Sequence, residues 1–155
     1  MVSTADLLDR HPDALVCSQA FAQYGGVTSF EGTVATVRCH EDNVLLKQRV
    51  GEPGHGRVLV VDGGGSLRVA LLGDMVAGLA AANGWAGLVV NGCVRDVAVL
   101  RHLPIGVKAI ASNPRPSGKE GAGELDVPVE VGGITIRPGA RLASDDDGIV
   151  VLDTA

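Results

Sequence analysis

Two short stretches of this chain carry residue types that could act together on a small anion. At Gly73-Asp74 the apolar segment "RVALLG" ends in glycine and runs straight into a helical pattern. A helix starting there leaves the amides of its first turn unpaired, with the positive end of the macrodipole behind them, so the turn can seat a carboxylate or a phosphate. Gly73 allows close backbone approach, and Met75 and Val76 offer amides with no polar side chain in the way. Asp74 has a purely local alternative, as N-cap of its own helix.

The second stretch is "NGCVRD", residues 91–96, where a buried run leaves through a cation and an anion side by side. Arg95 presents a fixed fork of donors suited to an enolate or carboxylate oxygen, and Asp96 is a hard oxygen ligand for a divalent cation. A simple ion pair at a strand end would use the same two residues. Open α/β sheets place ligands outside the carboxyl ends of their strands. If "RVALL" and "AGLVVN" pair in parallel, the Asp74 turn and Arg95-Asp96 therefore share one edge.

Other motifs fall short. "VVDGGGSLR" would need glycine where Arg68 stands to match a dinucleotide fingerprint, and Gly118-Lys119 is followed by Glu120, not the Ser or Thr of a phosphate-binding loop. Asp145-Asp146-Asp147-Gly148 has the wrong spacing for an EF-hand and reads as a solvated turn. His11, His40, His55 and His102 show no paired metal spacing, so all four read as structural. Cys17, Cys39 and Cys93 are odd in number without a CxxC, as expected of reduced, buried thiols.

The elements that must hold these residues follow from hydrophobic period and punctuation. "STADLLDRHPDAL" reads as a short helix capped by Ser3 or Thr4 and halted before Pro12. "VTSFEGTVATVRC" gives one or two strands around Gly32, and "EDNVLLKQRV" a brief helix stopped by Gly51 and Pro53. "RVLVVD", residues 57–62, is a buried strand, "RVALLG" another, and "DMVAGLAAANG" a helix with Asp74 as N-cap and Gly84 at its end. After "AGLVVN", residues 95–103 can form one or two helical turns closed by Pro104, and "GVKAIA" is a strand. "SNPRPSGKEGAGELD" reads as a long surface loop, with Lys119-Glu120 placed to act as a lid. A hairpin about Gly132-Gly133 and two short strands complete a single α/β domain over residues 1–155.

Composition sets outer limits. Aromatics are only 3% of the chain, so its core must be Val, Leu, Ile and Ala, which favours strands. A formal net charge of −5, with no basic cluster, argues against direct nucleic-acid binding. No stretch approaches the roughly 18 apolar residues of a membrane span, and the N-terminus lacks a signal-peptide pattern, so a cytoplasmic protein is expected.

Five segments, "FAQYGGVTSFEGTVATVRCHEDN", "GRVLVVDGGGSLRVALLGD", "NGWAGLVVNGCVRD", "IGVKAIASNPRPSGKEGAGELDVPVEVGGITIRPG" and "DDDGIVVL", resemble the RraA-like family from about Thr4 onward. That family comprises the regulators of ribonuclease activity A and the metal-dependent 4-hydroxy-4-methyl-2-oxoglutarate aldolases. Its most specific signature is an Asp, twenty residues, then Arg-Asp, which here is Asp74, residues 75–94 and Arg95-Asp96. The resemblance implies a three-layer β/β/α swivelling-type domain with a mixed sheet, and a homotrimer. It also implies class II pyruvate aldolase chemistry with oxaloacetate decarboxylation, or binding and inhibition of a ribonuclease instead. It further implies that the amides of Gly73, Asp74, Met75 and Val76 bind the 2-oxo acid, that Arg95 contacts its oxygens, that Asp96 holds Mg2+ or Mn2+, and that Asp74 orients a water. Val99 stands where active aldolases often carry an acid, and the sequence ends at Ala155, short of the extension that longer aldolases carry. Decarboxylation is accordingly the firmer expectation.

Overall fold

A computed structural model describes residues 3–153. Along the chain run α1 (Thr4–Arg10), β1 (Leu15–Val16), β2 (Ala22–Gln23), β3 (Phe30–Arg38), α2 (Val44–Val50), β4 (Val58–Asp62), β5 (Ala70–Leu72), α3 (Asp74–Ala82), β6 (Gly87–Val94) and α4 (Val97–Leu100). Then follow β7 (Gly106–Ser112), β8 (Glu124–Leu125), β9 (Val129–Val131), β10 (Ile134–Ile136), β11 (Arg141–Ser144) and β12 (Ile149–Leu152). Among the described residues no helix is long and apolar enough to cross a membrane.

One mixed sheet runs β1-β12-β11-β3-β4-β6-β7-β2. Its centre, β3-β4-β6-β7, is parallel, and β11, β12 and β1 continue it in antiparallel fashion from β3. β3 is a single strand through Gly32: its first four residues pair with β11, and Val34 to Arg38 pair with β4. The strand thereby turns the antiparallel half over one face of the parallel half.

Strand alternation then decides the layers. Val58 and Val60 on β4 and Val89 on β6 face a core shared with Val131, Ile136, Leu142, Ile149 and Val151. Their neighbours Leu59, Val61, Leu88 and Val90 face the opposite core, against Leu46 and Val50 of α2, Val76, Ala77 and Ala80 of α3, and Leu100 of α4. The result is antiparallel sheet, parallel sheet and helices, the β/β/α arrangement expected. Phe30 sits between the parallel strands' Gly87 and Gly106, where a Cβ on either glycine would collide with its ring.

Several boundaries differ from the sequence expectation. β6 does not stop at Asn91 but continues to Val94, because β5 pairs with its far half (Ala70 with Cys93, Leu72 with Val94) while β4 occupies the near half. Asp74 is not the N-cap of α3; Gly73 is, and Asp74 is the first helical residue. Ser3 does cap α1, accepting from the Asp6 amide. The aspartate run is only partly a solvated turn: Asp146 and Asp147 are exposed, but Asp145 is buried. Its carboxylate accepts from the Thr4 amide at 2.8 Å and the Thr4 hydroxyl at 2.7 Å, fastening α1 to the β11–β12 turn. The Lys108 ammonium, also buried, donates to the carbonyls of Asp145 and Gly148 in the same turn. All three cysteines are free and buried.

Candidate active site

The parallel pairing of β5 and β6 brings the two chemical stretches to one level. Leu72 stands opposite Val94, so Gly73 and Arg95 leave neighbouring strands side by side, and the Arg95 amide donates to the Leu72 carbonyl at 2.9 Å. The contact between the two turns is close: a Cβ on Gly73 would strike the Asp96 carboxylate and crowd the Arg95 side chain. Glycine at 73 is thus required by proximity.

α3 opens on this junction. Its first intrahelical bond runs from the Ala77 amide to the Gly73 carbonyl. Of the amides ahead of it, that of Asp74 donates to Oδ2 of Asp96 at 3.2 Å. Those of Met75 and Val76 meet no acceptor among the described residues, and with the dipole behind them they face any anion that enters. The Met75 side chain stands clear, 79% exposed.

Asp96 adopts the left-handed conformation, φ 57 and ψ 42, at the start of α4, and its side chain does not cap that helix. Instead it turns back to the α3 amide. Arg95 is exposed, with one guanidinium nitrogen 3.4 Å from the Pro114 carbonyl, a contact weak enough to exchange for a ligand. Gly73, Asp74, Met75, Val76, Arg95 and Asp96 all line one cleft of about 780 Å3 between α2, α3 and the end of β5. Arg95 and Asp96 also line a smaller hollow of about 260 Å3 toward Asn113 and Pro114.

The far wall of the cleft contains residues the sequence did not single out as a site: Asn43, Lys47 and Gln48 near α2, and Ser117 beside Lys119. Asn43 donates to the Leu71 carbonyl at 3.0 Å and accepts from the Lys119 ammonium at 2.7 Å. The segment carrying Lys119 is not a free lid. The Gly118 amide donates to the Glu41 carbonyl, and the amides of Glu120 and Gly121 donate to the buried Asp42 carboxylate. Burial works to raise the Asp42 carboxyl, but the amides of Val44, Glu120, Gly121 and Ala122 outweigh it and hold it below its usual range. No signal in the sequence couples Asp42 to Gly121; the contact is made only by the fold.

The donor set limits which metal could bind. Among the described residues no group of three or more His, Cys, Asp or Glu is gathered for an ion. Burial raises the Cys93 thiol and, with the charges of Asp42 and Asp62 behind it, pushes Cys39 to about 12, so neither presents a thiolate. Asp96, with one oxygen on the Asp74 amide and the other uncommitted, fits a hard cation that keeps water and takes the rest of its oxygens from a substrate.

Comparison with known proteins places this arrangement among relatives. The profile of the RraA-like family, described as Aldolase/RraA, matches residues 4–151. A protein of Ectopseudomonas mendocina (strain ymp) is 56% identical over 98% of this chain and 94% of its own length, and bears the name "Putative 4-hydroxy-4-methyl-2-oxoglutarate aldolase". A crystal structure from Geobacillus kaustophilus HTA426, titled as an S-adenosylmethionine:2-dimethylmenaquinone methyltransferase, superposes with a TM-score of 0.97 at 47% identity, covering 99% of this chain and 96% of that one. The RNA-processing inhibitor RraA from Thermus thermophilis superposes with a TM-score of 0.96, also at 47% identity, covering 98% and 93%. One fold carries three different functional names, so the site must decide among them.

Proposed function

The chain belongs to the RraA-like family, and from that premise we propose that it is a lyase acting on 2-oxo acids through a pyruvate enolate, with Mg2+ or Mn2+ as cofactor. The observation that carries this reading is the convergence, in one cleft, of two unpaired helix-start amides, the Arg95 guanidinium and the Asp96 carboxylate. Oxaloacetate decarboxylation and cleavage of 4-hydroxy-4-methyl-2-oxoglutarate both yield pyruvate by way of its enolate, so one stabilising site serves both.

The division of labour follows from the donors. The amides of Met75 and Val76 take the carboxylate next to the keto group and fix its plane, while that of Asp74, which the sequence also offered for this, stays on Asp96. Arg95 leaves the Pro114 carbonyl and directs its donors at the keto oxygen, where negative charge grows as the bond breaks. Asp96 holds the cation, oriented by the Asp74 amide on its Oδ2. A divalent cation held there would supply Lewis-acid stabilisation of the charge that develops on the substrate. Aldol cleavage also asks for a base to take the 4-hydroxyl proton; Asp74, in the first turn of α3, is the carboxylate placed to accept it directly or through water. Decarboxylation needs no such base. With exposed Val99, not an acid, on α4, decarboxylation is the activity this cleft supports more fully.

A pyruvate-release assay on oxaloacetate and on 4-hydroxy-4-methyl-2-oxoglutarate, each with added Mg2+ and with chelator, tests the reading. Metal-stimulated release from oxaloacetate is expected. Equal rates with metal and with chelator would rule the metal-dependent mechanism out. The second reading, surface-mediated inhibition of a ribonuclease, draws on the similarity to the Thermus RNA-processing inhibitor and on the acidic net charge of −5, which complements basic RNA-binding surfaces. Assembly as a homotrimer and residence in the cytoplasm complete the proposal, on the strength of the family.

A further inference from the structure

We infer that Met75 is a modification site of the cleft: a hydroperoxide oxidises its thioether to the sulfoxide, whose oxygen then occupies the amides that seat the substrate carboxylate. This rests on the lyase reading above and adds a means of regulating the same site. The chain has two methionines, Met1 and Met75, and three cysteines. The cysteines offer a peroxide little. All three are free and buried, and burial raises each thiol, so none presents the thiolate that reacts with such an oxidant.

Met75 is placed in the opposite way. It lines the cleft at 79% exposure, the most exposed of the large apolar side chains among the described residues. α3 buries Val76, Ala77 and Ala80 in the helical core and leaves Met75 out of it. A thioether has no proton to lose, so exposure alone makes it reactive. An opening of about 780 Å3 that takes a keto acid also takes a peroxide.

The new oxygen would stand beside the anion seat. Met75 is the second residue of α3, and its own amide and that of Val76 meet no acceptor among the described residues. Sδ of methionine is as many bonds from Cα as Cδ of glutamine, so the sulfoxide oxygen stands where a glutamine Oε1 would. Through that atom a Glu or Gln in the first turn of a helix reaches back to a helix-start amide. The S–O bond is strongly dipolar with its negative end on oxygen, which the helix dipole favours at this end. Being tethered, it meets the amides at an effective concentration that a free carboxylate must overcome.

The step balances with hydrogen peroxide as oxidant. A sulfur lone pair attacks one peroxide oxygen, the S–O bond forms as the O–O bond breaks, and the departing hydroxide takes the proton of the transferred oxygen and leaves as water. Sulfur loses the electron pair that the peroxide gains. The amides hold the substrate carboxylate in the ground state and the transition state alike, so blocking them weakens binding without slowing the bond-breaking step.

The experiment treats wild type, Met75→Leu and Met75→Gln with hydrogen peroxide and compares each with its own untreated sample. Peptide mass spectrometry locates the oxidation, and oxaloacetate turnover with Mg2+, calorimetric binding of pyruvate and thermal melting read its effect. Expected in treated wild type are one oxygen added at Met75, a KM raised about tenfold with kcat within about twofold, and pyruvate affinity lowered by the same factor. The melting temperature should not move, and methionine sulfoxide reductases should restore the KM. Met75→Leu should keep its untreated KM, and Met75→Gln should bind pyruvate about tenfold more weakly than wild type before any treatment. A Met75 that stays unmodified, a sulfoxide with unchanged KM, a fall in kcat at constant KM, an equal loss in treated Met75→Leu, or wild-type affinity in Met75→Gln would each overturn the assignment. Absence of turnover in untreated wild type that still binds pyruvate defeats the lyase reading alone, and the binding measurements then decide the role of Met75; absence of pyruvate binding overturns both.

Discussion

Asp96 occupies the left-handed region, φ 57, where a side chain is tolerated chiefly for Asn and Asp. The conformation is what turns its carboxylate from α4 back to the start of α3, so backbone strain and function are tied to one residue. Two substitutions separate them. Asp96→Asn keeps a residue that accepts this backbone and an oxygen for the Asp74 amide, and is expected to melt within 1–2 °C of wild type, a shift of about 0.5 kcal/mol or less. Asp96→Ala loses both and is expected to cost about 1–2 kcal/mol. Either change removes the negative oxygen a hard cation needs, so both should lower metal-stimulated oxaloacetate turnover at least ~100-fold, about 2.7 kcal/mol of transition-state stabilisation. An Asn variant that stays active would show that Asp96 serves only as a cap. The spacing from Asp74 to Arg95-Asp96 was open to reading because both lie where a strand pattern ends. The partnership of Asn43 with Lys119 was not, since it joins residues 76 apart in sequence that carry no pattern until α2 and the loop meet.

At the level of elements, single buried carboxylates fasten whole segments. Asp42 binds the amides of Val44, Glu120 and Gly121, closing the loop onto α2. Asp42→Ala is expected to destabilise the fold by about 2–3 kcal/mol, since it strands several amides at once. It should also open the segment at Lys119 to trypsin, which limited proteolysis of native protein would reveal. An intact wild-type-like digestion pattern would mean that the loop is held by other contacts. Asp145 does the same for α1. Its carboxyl is opposed by burial but held below the usual value of 3.8 by Thr4 and by the amides of Asp147 and Gly148. A group depressed in the folded state stabilises above its unfolded pKa and loses that contribution as pH falls through the folded one. The urea midpoint should therefore hold from neutrality to about pH 5 and fall below pH 4. Glu41, drawn down to about 2 by its hydrogen bonds to Arg68 and Ser66, adds to the loss between 4.5 and 2. Asp145→Asn should start lower at neutrality and decline less steeply in acid; parallel curves would exclude the mechanism. The aspartate run gave no hint of this in sequence, because the partner that buries Asp145 is 141 residues away. The Gly73 cap escaped notice for a different reason. Asp is the better capping side chain by propensity, but the cap position falls one residue earlier, where a Cβ would strike the Asp96 carboxylate and only glycine fits.

Across the whole molecule the parallel sheet separates two cores, and the cleft belongs to only one of them. The unbroken apolar runs of "RVLVVD" and "AGLVV" were sufficient to foresee strands buried on both faces. They could not say which faces meet helices and which meet strands, because Val and Leu serve either. That distinction is made by β3, which enters both halves of the sheet, and by Phe30 at its first residue, lodged against Gly87 and Gly106. With aromatics so scarce in this chain, Phe30 fills volume that its neighbours are shaped to leave. Phe30→Ala is expected to cost about 3–5 kcal/mol, the usual penalty for emptying an aromatic site in a core. That corresponds to a fall in melting temperature on the order of 10 °C at this chain length. The cleft lies on the helical side, walled by α2, α3 and the end of β5, so the pieces that bind substrate do not touch the emptied volume. Well below its new melting point the variant should retain the KM and kcat of wild type on oxaloacetate within about twofold, since distant sites without shared partners act independently. If KM rises in step with the lost stability, the sheet transmits strain from one core to the other, and the β5–β6 junction that aligns Gly73 with Arg95 is the place to look for the displacement.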